Sequence, residues 1–182
     1  LDKRKFYING QWVDPSKKND FEVINPSDES VCALISLGSQ ADTDAAVLAA
    51  REALPMWSNS SKEVRIVLLE KLYSIYQRRM NEMAEVISME MGAPIDFAKR
   101  SQAPSGTEAI EDFLNQLKKF EFEKQLDDSD NQLIYHPKGV CALITPWNWP
   151  ISQVALKVIP AIAAGCTMVL KPSEIAPLSS ML

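Results

Sequence analysis

Histidine and cysteine are scarce in this chain of 182 residues. His136 is its one histidine, which argues against a histidine-based metal site or a Ser-His-Asp triad built within the chain. The three cysteines, Cys32, Cys141 and Cys166, have no zinc-binding spacing and lie among apolar residues. We interpret them as buried structural thiols of a reducing, cytoplasmic protein, because no base lies near Cys141 in sequence to activate it as a nucleophile. No metal site is predicted.

Long apolar runs and an excess of positive charge are also missing. No run approaches the length of a membrane span, and no signal peptide is visible. The net charge of −5 and the pI near 5.0 argue against nucleic acid or an anionic membrane as a partner. Hydrophobic residues make up 46% of the chain, which is typical of ordinary soluble proteins.

The first third of the chain predicts short strands followed by helices. Asn9-Gly10 supplies the left-handed residues of a tight turn and predicts a hairpin around it. The expected strands cover residues 6–8, 11–13, 21–24 and 31–36. The expected helices cover 41–54, 62–91 and a third run that ends near 119. Capping patterns at Ser39–Asp42 and Ser60–Glu63 mark the starts of the first two helices, and Pro55 and Gly92 mark their ends. A break in the third run is expected at Pro104 and Gly106. On the second helix, Leu68 and Ile87 are expected on the apolar face, and Arg65 on the polar one.

A second hairpin is expected between residues 119 and 138. Residues 119–124 alternate with period two, which places Phe120 and Phe122 on one face. Residues 127–131 form an acidic turn, and 133–135 return as a strand.

The segment from residue 139 to 174 predicts a strand, a helix and a parallel strand. The apolar run 140–144 suits a strand buried on both faces, and a second strand covers 167–170. The helix between them is expected to break at Pro160 and to stop at Gly165. Ligands of open α/β sheets bind beyond the carboxyl ends of such strands. Two polar clusters stand there: residues 145–149 and residues 171–174.

Asn148 is the candidate catalytic residue of the first cluster. Pro146 and Pro150 restrict the backbone around it. Its amide offers two N–H donors without charge, which suits a developing oxyanion in acyl chemistry. A turn in which Asn148 bonds its own backbone is the structural alternative.

Lys171 and Glu174 are the candidates of the second cluster. A lysine and a carboxylate together can bind both hydroxyls of a ribose, and the carboxylate would repel a 2′-phosphate, which favours NAD over NADP. Capping of the next helix by Ser173 or Glu174 is the alternative.

Together the two clusters resemble the aldehyde dehydrogenase superfamily. The resemblance is carried by ITPWNWP at 144–150 and AAGCTMVLKPSE at 163–174, with Lys157 at matching spacing. It is supported by FYINGQW at 6–12, VINPSDES at 23–30 and MEMGAP at 89–94. These motifs occur in the same order as in the family, and the resemblance covers essentially the whole chain.

The resemblance implies a role for each matching residue. Asn148 matches the oxyanion-hole asparagine, and Lys157 a lysine near the acid/base relay. Lys171 and Glu174 match the pair that grips the adenosine ribose of NAD, and Ser173 is expected to bind cofactor beside them. The residues matched to the strand end that packs on the cofactor are Ile144, Thr145, Pro146 and Trp147. The residues expected along the aldehyde tunnel are Trp149, Phe113 and Leu117, with plain core packing as the alternative for the last two.

The resemblance also implies an α/β fold: the N-terminal part of the aldehyde dehydrogenase fold, with an incomplete Rossmann-like parallel sheet. Residues 1–118 would be strands and helices of the cofactor-binding domain, 119–138 a bridging and oligomerisation hairpin, and 139–182 the first βαβ unit. The implied partners are a small aldehyde and further copies of the chain, in a homodimer or homotetramer. The implied cofactor is NAD, with NADP as the alternative.

The family's cysteine nucleophile and glutamate base lie in later motifs that this sequence does not contain, and it has no GxGxxG. The resemblance is therefore to the N-terminal portion of an enzyme that oxidises aldehydes to acids through a thiohemiacetal and a thioester. Two alternatives stay open. One is a truncated, non-catalytic protein that needs a partner to cover its apolar edges. The other is a relative acting on acyl phosphates or acyl-CoA.

Overall fold

The computed structural model describes residues 1–127 and 130–182. The strands are β1 (Asp2–Lys3), β2 (Phe6–Ile8), β3 (Gln11–Val13), β4 (Asp20–Asn25), β5 (Ser30–Ser36), β6 (Glu123–Gln125), β7 (Gln132–Ile134), β8 (Val140–Ile144) and β9 (Thr167–Lys171). The helices are α1 (Gln40–Ser58), α2 (Lys62–Met91), α3 (Ile95–Phe97), α4 (Pro104–Lys119), α5 (Pro150–Ala163) and α6 (Leu178–Met181), with a π-helical turn at Ala98–Gln102. No helix in this part of the chain is both long and apolar enough to span a membrane.

The N-terminal strands form as predicted. β2 and β3 pair antiparallel, and the turn between them uses Asn9 at φ 50° and Gly10 at φ 76°. β4 and β5 also pair antiparallel, and β1 adds to β5 in parallel, in the order β1-β5-β4. These strands pack on α2 through a core that contains Val23 and Ala33.

Helix α1 begins at the predicted capping box but runs past the predicted stop. Ser39 and Asp42 bond reciprocally at its start. The prediction that Pro55 ends the helix is wrong, since the helix continues to Ser58. Pro55 removes one N–H in the last turn, while Ser58 and Asn59 donate side-chain hydrogen bonds to its carbonyl, at 3.4 and 2.8 Å.

Helix α2 has the predicted bounds and ends at Gly92, whose φ is 76°. Its cap, however, is Ser61, which accepts the N–H of Val64, and not Ser60. The predicted faces also need correction, because Leu68 is 41% exposed and Arg65 only 4%.

Arg65 is buried because carbonyl groups surround its guanidinium. Nη2 donates to the carbonyls of Ser58 and Ser60, both at 2.9 Å, and Nη1 to that of Ala163 at 3.3 Å. The ring of Phe122 lies 5.4 Å from the guanidinium carbon. Burial lowers the pKa of Arg65 from its ordinary value. One side chain thus joins the carboxyl-terminal ends of α1 and α5 to the start of α2.

The predicted break near Pro104 is confirmed. The π-helical turn separates α3 from α4, and α4 starts at Pro104. Tyr76 of α2 donates to the carbonyl of Ala103 at 2.7 Å. Gly106 leaves room for this ring, because a Cβ there would lie 2.5 Å from the Tyr76 hydroxyl.

The second hairpin is present but its first strand is shorter than predicted. β6 and β7 pair antiparallel, and β6 starts only at Glu123. Phe120 and Phe122 lie together as expected, with ring centroids 4.9 Å apart, and Phe120 also meets Tyr135 at 5.1 Å. The predicted acidic turn includes residues 128 and 129, which lie outside the described residues.

The predicted parallel βαβ unit is confirmed, with β8 and β9 in register from Val140–Thr167 to Ile144–Lys171. The break predicted at Pro160 is wrong, since α5 is continuous to Ala163. Pro160 lies in the last turn, where its own carbonyl accepts the N–H of Ala164 at 2.9 Å. The helix then closes with Gly165, whose N–H bonds Ile162 at 3.0 Å.

Strand β8 is not buried on both faces, as the sequence suggested. Leu143 is 9% exposed, whereas Ile144 next to it is 69% exposed. Within the described residues β8 and β9 pair only with each other, so each strand has one edge without a partner strand.

Candidate functional site

The carboxyl ends of β8 and β9 meet at one edge of the sheet. Ile144 pairs with Lys171, and the N–H of Thr145 donates to the Lys171 carbonyl at 3.2 Å. The two polar clusters identified in the sequence are therefore neighbours in space. This edge is our candidate active site.

The loop from β8 to α5 presents Asn148 to solvent. Within residues 1–127 and 130–182, the Asn148 side chain makes no hydrogen bond. The alternative in which Asn148 bonds its own turn is thus not what the structure shows. Both amide donors are free to bind a ligand.

Trp149 closes this loop in a left-handed conformation, with φ 56° and ψ 54°. Such a backbone is uncommon for a large residue and costs about 1–3 kcal/mol. The indole ring packs edge-on against Phe97, with centroids 5.6 Å apart and planes at 83°. An aromatic pair of this geometry contributes about 0.5–1.5 kcal/mol, which offsets part of the strain.

Phe97 is a site residue that the sequence did not reveal. It belongs to the three-residue helix α3, next to the π-helical turn, and its side chain is 40% exposed. A helix this short has no periodicity that would assign a face to Phe97. Only the contact with Trp149 places it at the edge.

The other residues of the first cluster differ in exposure. Ile144, Pro146 and Trp147 are exposed, so their side chains are accessible to a bound ligand. Thr145 is 4% exposed, and its N–H joins the two strand ends. The predicted cofactor contact of these four residues stays a prediction.

Lys171 and Glu174 form an ion pair at the end of β9. Lys171 Nζ lies 2.7 Å from Glu174 Oε2, and the two side chains are 61% and 41% exposed. The hydrogen bond from Lys171 lowers the pKa of Glu174, so the carboxylate is charged at neutral pH. The sequence could not show this pairing, which gives the edge a donor and an acceptor side by side.

Neither Ser173 nor Glu174 caps the next helix, which was the structural alternative. Helix α6 has Pro177 at its N-cap, without a side-chain cap bond. Ser173 Oγ accepts the N–H of Ile175 at 3.3 Å instead. The charged ends of Lys171 and Glu174 are therefore not engaged in holding α6.

Lys157 lies two turns into α5 and is half-buried. Its ammonium donates to the side-chain oxygen of Gln153 at 3.2 Å. This bond holds the Lys157 side chain along the helix toward its N-terminus. Its suggested place near an acid/base relay stays a prediction.

Phe113 and Leu117 lie in the hydrophobic core of α2, α4 and α5. Leu117 is 4% exposed and belongs to a cluster with Leu69 and Ile159, and Phe113 packs against that cluster. Both side chains have the core-packing role that was the alternative to a tunnel role, and the tunnel role stays a prediction.

The cysteines offer no activated thiol at this edge. Cys32 and Cys141 are half-buried, Cys166 is buried, and all three are free. Burial raises the pKa of the Cys141 thiol, with Cys166 as its neighbour, and burial also raises that of Cys32. A raised pKa lowers the thiolate fraction on which nucleophilic attack depends. In the described part of the chain no group of three or more His, Cys, Asp or Glu side chains could hold a metal ion.

Two surface grooves lie elsewhere, along the N-terminal strands. One, of about 670 Å³, is lined by residues that include Arg4 and Trp12. The other lies beside Asp42. Neither of these two grooves is lined by Asn148 or Lys171.

Comparison with known proteins identifies the family. The model of the aldehyde dehydrogenase family matches residues 12–182. The chain belongs to this family. The resemblance drawn from the sequence is thereby confirmed.

Curated aldehyde dehydrogenases match the chain over its whole length but only over part of theirs. A 3-succinoylsemialdehyde-pyridine dehydrogenase of Pseudomonas sp is 48% identical over 182 residues, which are 100% of this chain and 38% of that protein. The chain thus spans less than two fifths of the length of this relative.

Solved aldehyde dehydrogenase structures show the same fold. That of Bartonella henselae superposes with a TM-score of 0.98 at 53% identity, covering 100% of this chain and 38% of the other. That of aldehyde dehydrogenase C from Pseudomonas syringae, a mutant in complex with NAD+ and octanal, gives a TM-score of 0.95 at 44% identity, covering 98% and 36%. The predicted α/β class and the N-terminal portion of the aldehyde dehydrogenase fold are confirmed.

Proposed function

We propose that the protein carrying this sequence oxidises an aldehyde to a carboxylic acid with NAD, and that this chain supplies the oxyanion donor and the ribose contact. The observation that carries the proposal is that the strands leading to Asn148 and to Lys171 and Glu174 are paired and end at the same edge of the sheet. Membership of the aldehyde dehydrogenase family and the NAD+ complex of the Pseudomonas syringae enzyme support it.

Asn148 would act on the substrate. Its unengaged amide can donate to the oxygen of the aldehyde as negative charge develops there. The flanking prolines and the left-handed Trp149 fix the loop, so the donor is positioned before the reaction. The nucleophile and the base of the reaction belong to the family's later motifs.

Lys171 and Glu174 would hold the adenosine ribose of NAD. The lysine ammonium can donate to one ribose hydroxyl, and the charged Glu174 carboxylate can accept from the other. The same carboxylate disfavours a 2′-phosphate by charge repulsion. Bound NAD supplies the hydride acceptor, and the exposed Ile144, Pro146 and Trp147 would form the surface on which it packs.

Trp149 and Phe97 would form one wall of the path for the aldehyde. They make a rigid apolar corner next to Asn148 in the chain. The named substrates of two relatives, octanal and a pyridine semialdehyde, are both large and partly apolar. We therefore expect aldehydes with a long or aromatic tail to be better substrates than acetaldehyde.

We also propose that the protein forms a homodimer or homotetramer in the cytoplasm. Hairpin β6–β7 exposes Leu133, Ile134 and Tyr135 between 39% and 48%, an apolar surface suited to association. Light scattering on the purified protein measures this state directly.

The first experiment is NAD binding by calorimetry to wild type and Lys171→Ala. We expect about tenfold weaker binding for the variant, the size of one lost hydrogen bond to a charged group. Lys99→Ala, which removes an exposed lysine outside the edge, serves as the control. Unchanged NAD affinity in Lys171→Ala would remove the ribose contact from this edge.

A further inference from the structure

Glu90 is a buried acid that the proposed chemistry does not use. It is the second-last residue of α2, and its side chain is 1% exposed. In the described residues no lysine or arginine forms an ion pair with it. Its partners are backbone amides: Oε2 accepts the N–H of Leu178, and Oε1 accepts that of Ser179 at 3.0 Å.

These two hydrogen bonds join distant parts of the chain. Glu90 and Leu178 are 88 residues apart in sequence. Leu178 follows Glu174 by four residues, and the short segment between them contains the buried Ala176 and Pro177. The connection therefore runs from the end of α2 directly to the segment that carries the proposed ribose contact.

The segment that holds Glu174 is fixed at both of its ends. At its start, Lys171 is in register with Ile144 of the neighbouring strand. At its end, the Glu90 carboxylate holds the amides of Leu178 and Ser179. Packing of the buried Ala176 and of Leu178 in the core adds to this second connection.

The energetic balance at Glu90 favours a role in fixing position. Taking a carboxylate out of water is costly, and two amide donors only partly compensate. Burial accordingly raises the pKa of Glu90 to about 7. Both oxygens already accept hydrogen bonds and the side chain is out of reach of solvent, so Glu90 does not itself touch a ligand.

We propose that Glu90 is a positioning residue that sets NAD affinity by holding the segment of Lys171 and Glu174 in its binding geometry. This inference rests on the proposed NAD site. A glutamine at this position keeps one oxygen as an acceptor, but its NH2 group replaces the other oxygen. This NH2 would face a backbone N–H group, and two donors cannot bond each other, so one of the two hydrogen bonds to Leu178 and Ser179 is lost.

The test compares Glu90→Gln with Ile87→Val in the complete enzyme. Ile87 is one turn earlier on α2 and 0% exposed, but it contacts neither Leu178 nor Ser179 through a hydrogen bond, so it controls for loss of stability. For Glu90→Gln we expect KM and Kd for NAD to rise about tenfold while kcat stays within about twofold. For Ile87→Val we expect all three constants to stay within about twofold.

A second measurement needs no variant. Because coupling between two sites is reciprocal, NAD binding should slow amide hydrogen exchange at Leu178 and Ser179 in the wild-type enzyme. Unchanged exchange at these amides under saturating NAD overturns the proposal even if Glu90→Gln fails to fold.

The remaining outcomes separate the two proposals. If Lys171→Ala weakens NAD binding and Glu90→Gln does not, the positioning role is wrong and the NAD site stands. If Glu90→Gln and Ile87→Val weaken NAD binding equally, the effect is lost stability and the positioning role is again wrong. If Lys171→Ala itself has no effect, the NAD site fails first.

Discussion

Lys171 Nζ, on the last residue of β9, and Glu174 Oε2, three residues later, are 2.7 Å apart. The pair is exposed, so its worth to the stability of the fold is about 0–1 kcal/mol. Its position at the sheet edge matters more than its energy. In the proposed NAD site, this position lets the charged carboxylate accept a hydrogen bond from a ribose hydroxyl.

Replacing Glu174 by glutamine should relax the preference for NAD over NADP. The change removes the negative charge that repels a 2′-phosphate, so the ratio of kcat/KM for NAD to that for NADP should fall about tenfold, or about 1.4 kcal/mol. Steady-state kinetics with both cofactors measures the ratio. Glu85→Gln, which removes an exposed charge on α2, is the matched control. A wild-type preference for NADP would contradict the argument at its start.

Replacing Asn148 by alanine should slow the reaction with little effect on NAD binding. Loss of one preorganised oxyanion donor lowers kcat about 10²–10³-fold. The Asn148 side chain makes no hydrogen bond in the described part of the chain, so the unfolding free energy should change by less than about 0.5 kcal/mol. Asn81→Ala, on the exposed face of α2, controls for removal of a surface amide. Wild-type turnover in Asn148→Ala would exclude Asn148 from the mechanism.

Gly165→Ala should destabilise the fold more than Gly10→Ala. Both glycines have nearly the same left-handed φ, 80° and 76°, so both changes carry a backbone cost of about 1–2 kcal/mol. A Cβ at Gly165 would also lie 2.5 Å from Nη2 of Arg65, whereas nothing lies within 4 Å at Gly10. Displacing the guanidinium adds about 1.5–3 kcal/mol for a hydrogen bond to a charged group. Urea unfolding of the two variants gives the difference, and equal losses would show that Arg65 moves freely.

The Glu90 carboxyl should make stability depend on pH between about 4.5 and 7. Its pKa is raised to about 7 in the fold from an ordinary value of 4.5. The folded state therefore binds more protons than the unfolded state in this window, and stability falls as pH rises from 4.5 to 7. The full effect is about 3 kcal/mol, at about 1.36 kcal/mol for each pH unit. Thermal unfolding of wild type and Glu90→Gln across this range isolates it, and parallel curves would contradict it.

Local patterns predicted much of this structure. The hairpin at Asn9-Gly10, the cap of α1 and the strands of the βαβ unit each depend on residues close in sequence. The common edge at which the segments of Asn148 and Lys171 begin followed from the rule that parallel strands end on the same side of a sheet. Pro55 and Pro160 misled, because each lies in the last turn of its helix, where the loss of one i→i−4 hydrogen bond leaves all preceding turns intact.

Long-range contacts could not be predicted in this way. Arg65 and Glu90 look like surface residues of a helix, but each is buried and has a hydrogen-bond partner far along the chain: the Ala163 carbonyl 98 residues away for Arg65, and the Leu178 amide 88 residues away for Glu90. Phe97 reaches the site through a packing contact with Trp149 that no sequence spacing indicates. When a charged side chain binds backbone carbonyls or amides, the sequence contains no oppositely charged residue that would reveal the contact.

The guanidinium of Arg65 also has a consequence for the order of folding. It bonds Ser58 and Ser60 nearby, but Ala163 only after the chain has closed a loop of nearly a hundred residues. Contacts of such separation form late, because the entropy of the loop is lost before they contribute. We therefore expect α1 and α2 to assemble first and the edge that carries Asn148 and Lys171 to appear only when α5 docks. During synthesis, the N-terminal segment could thus bind the Arg65 guanidinium through Ser58 and Ser60, and the bond to the Ala163 carbonyl would form only after α5 is made.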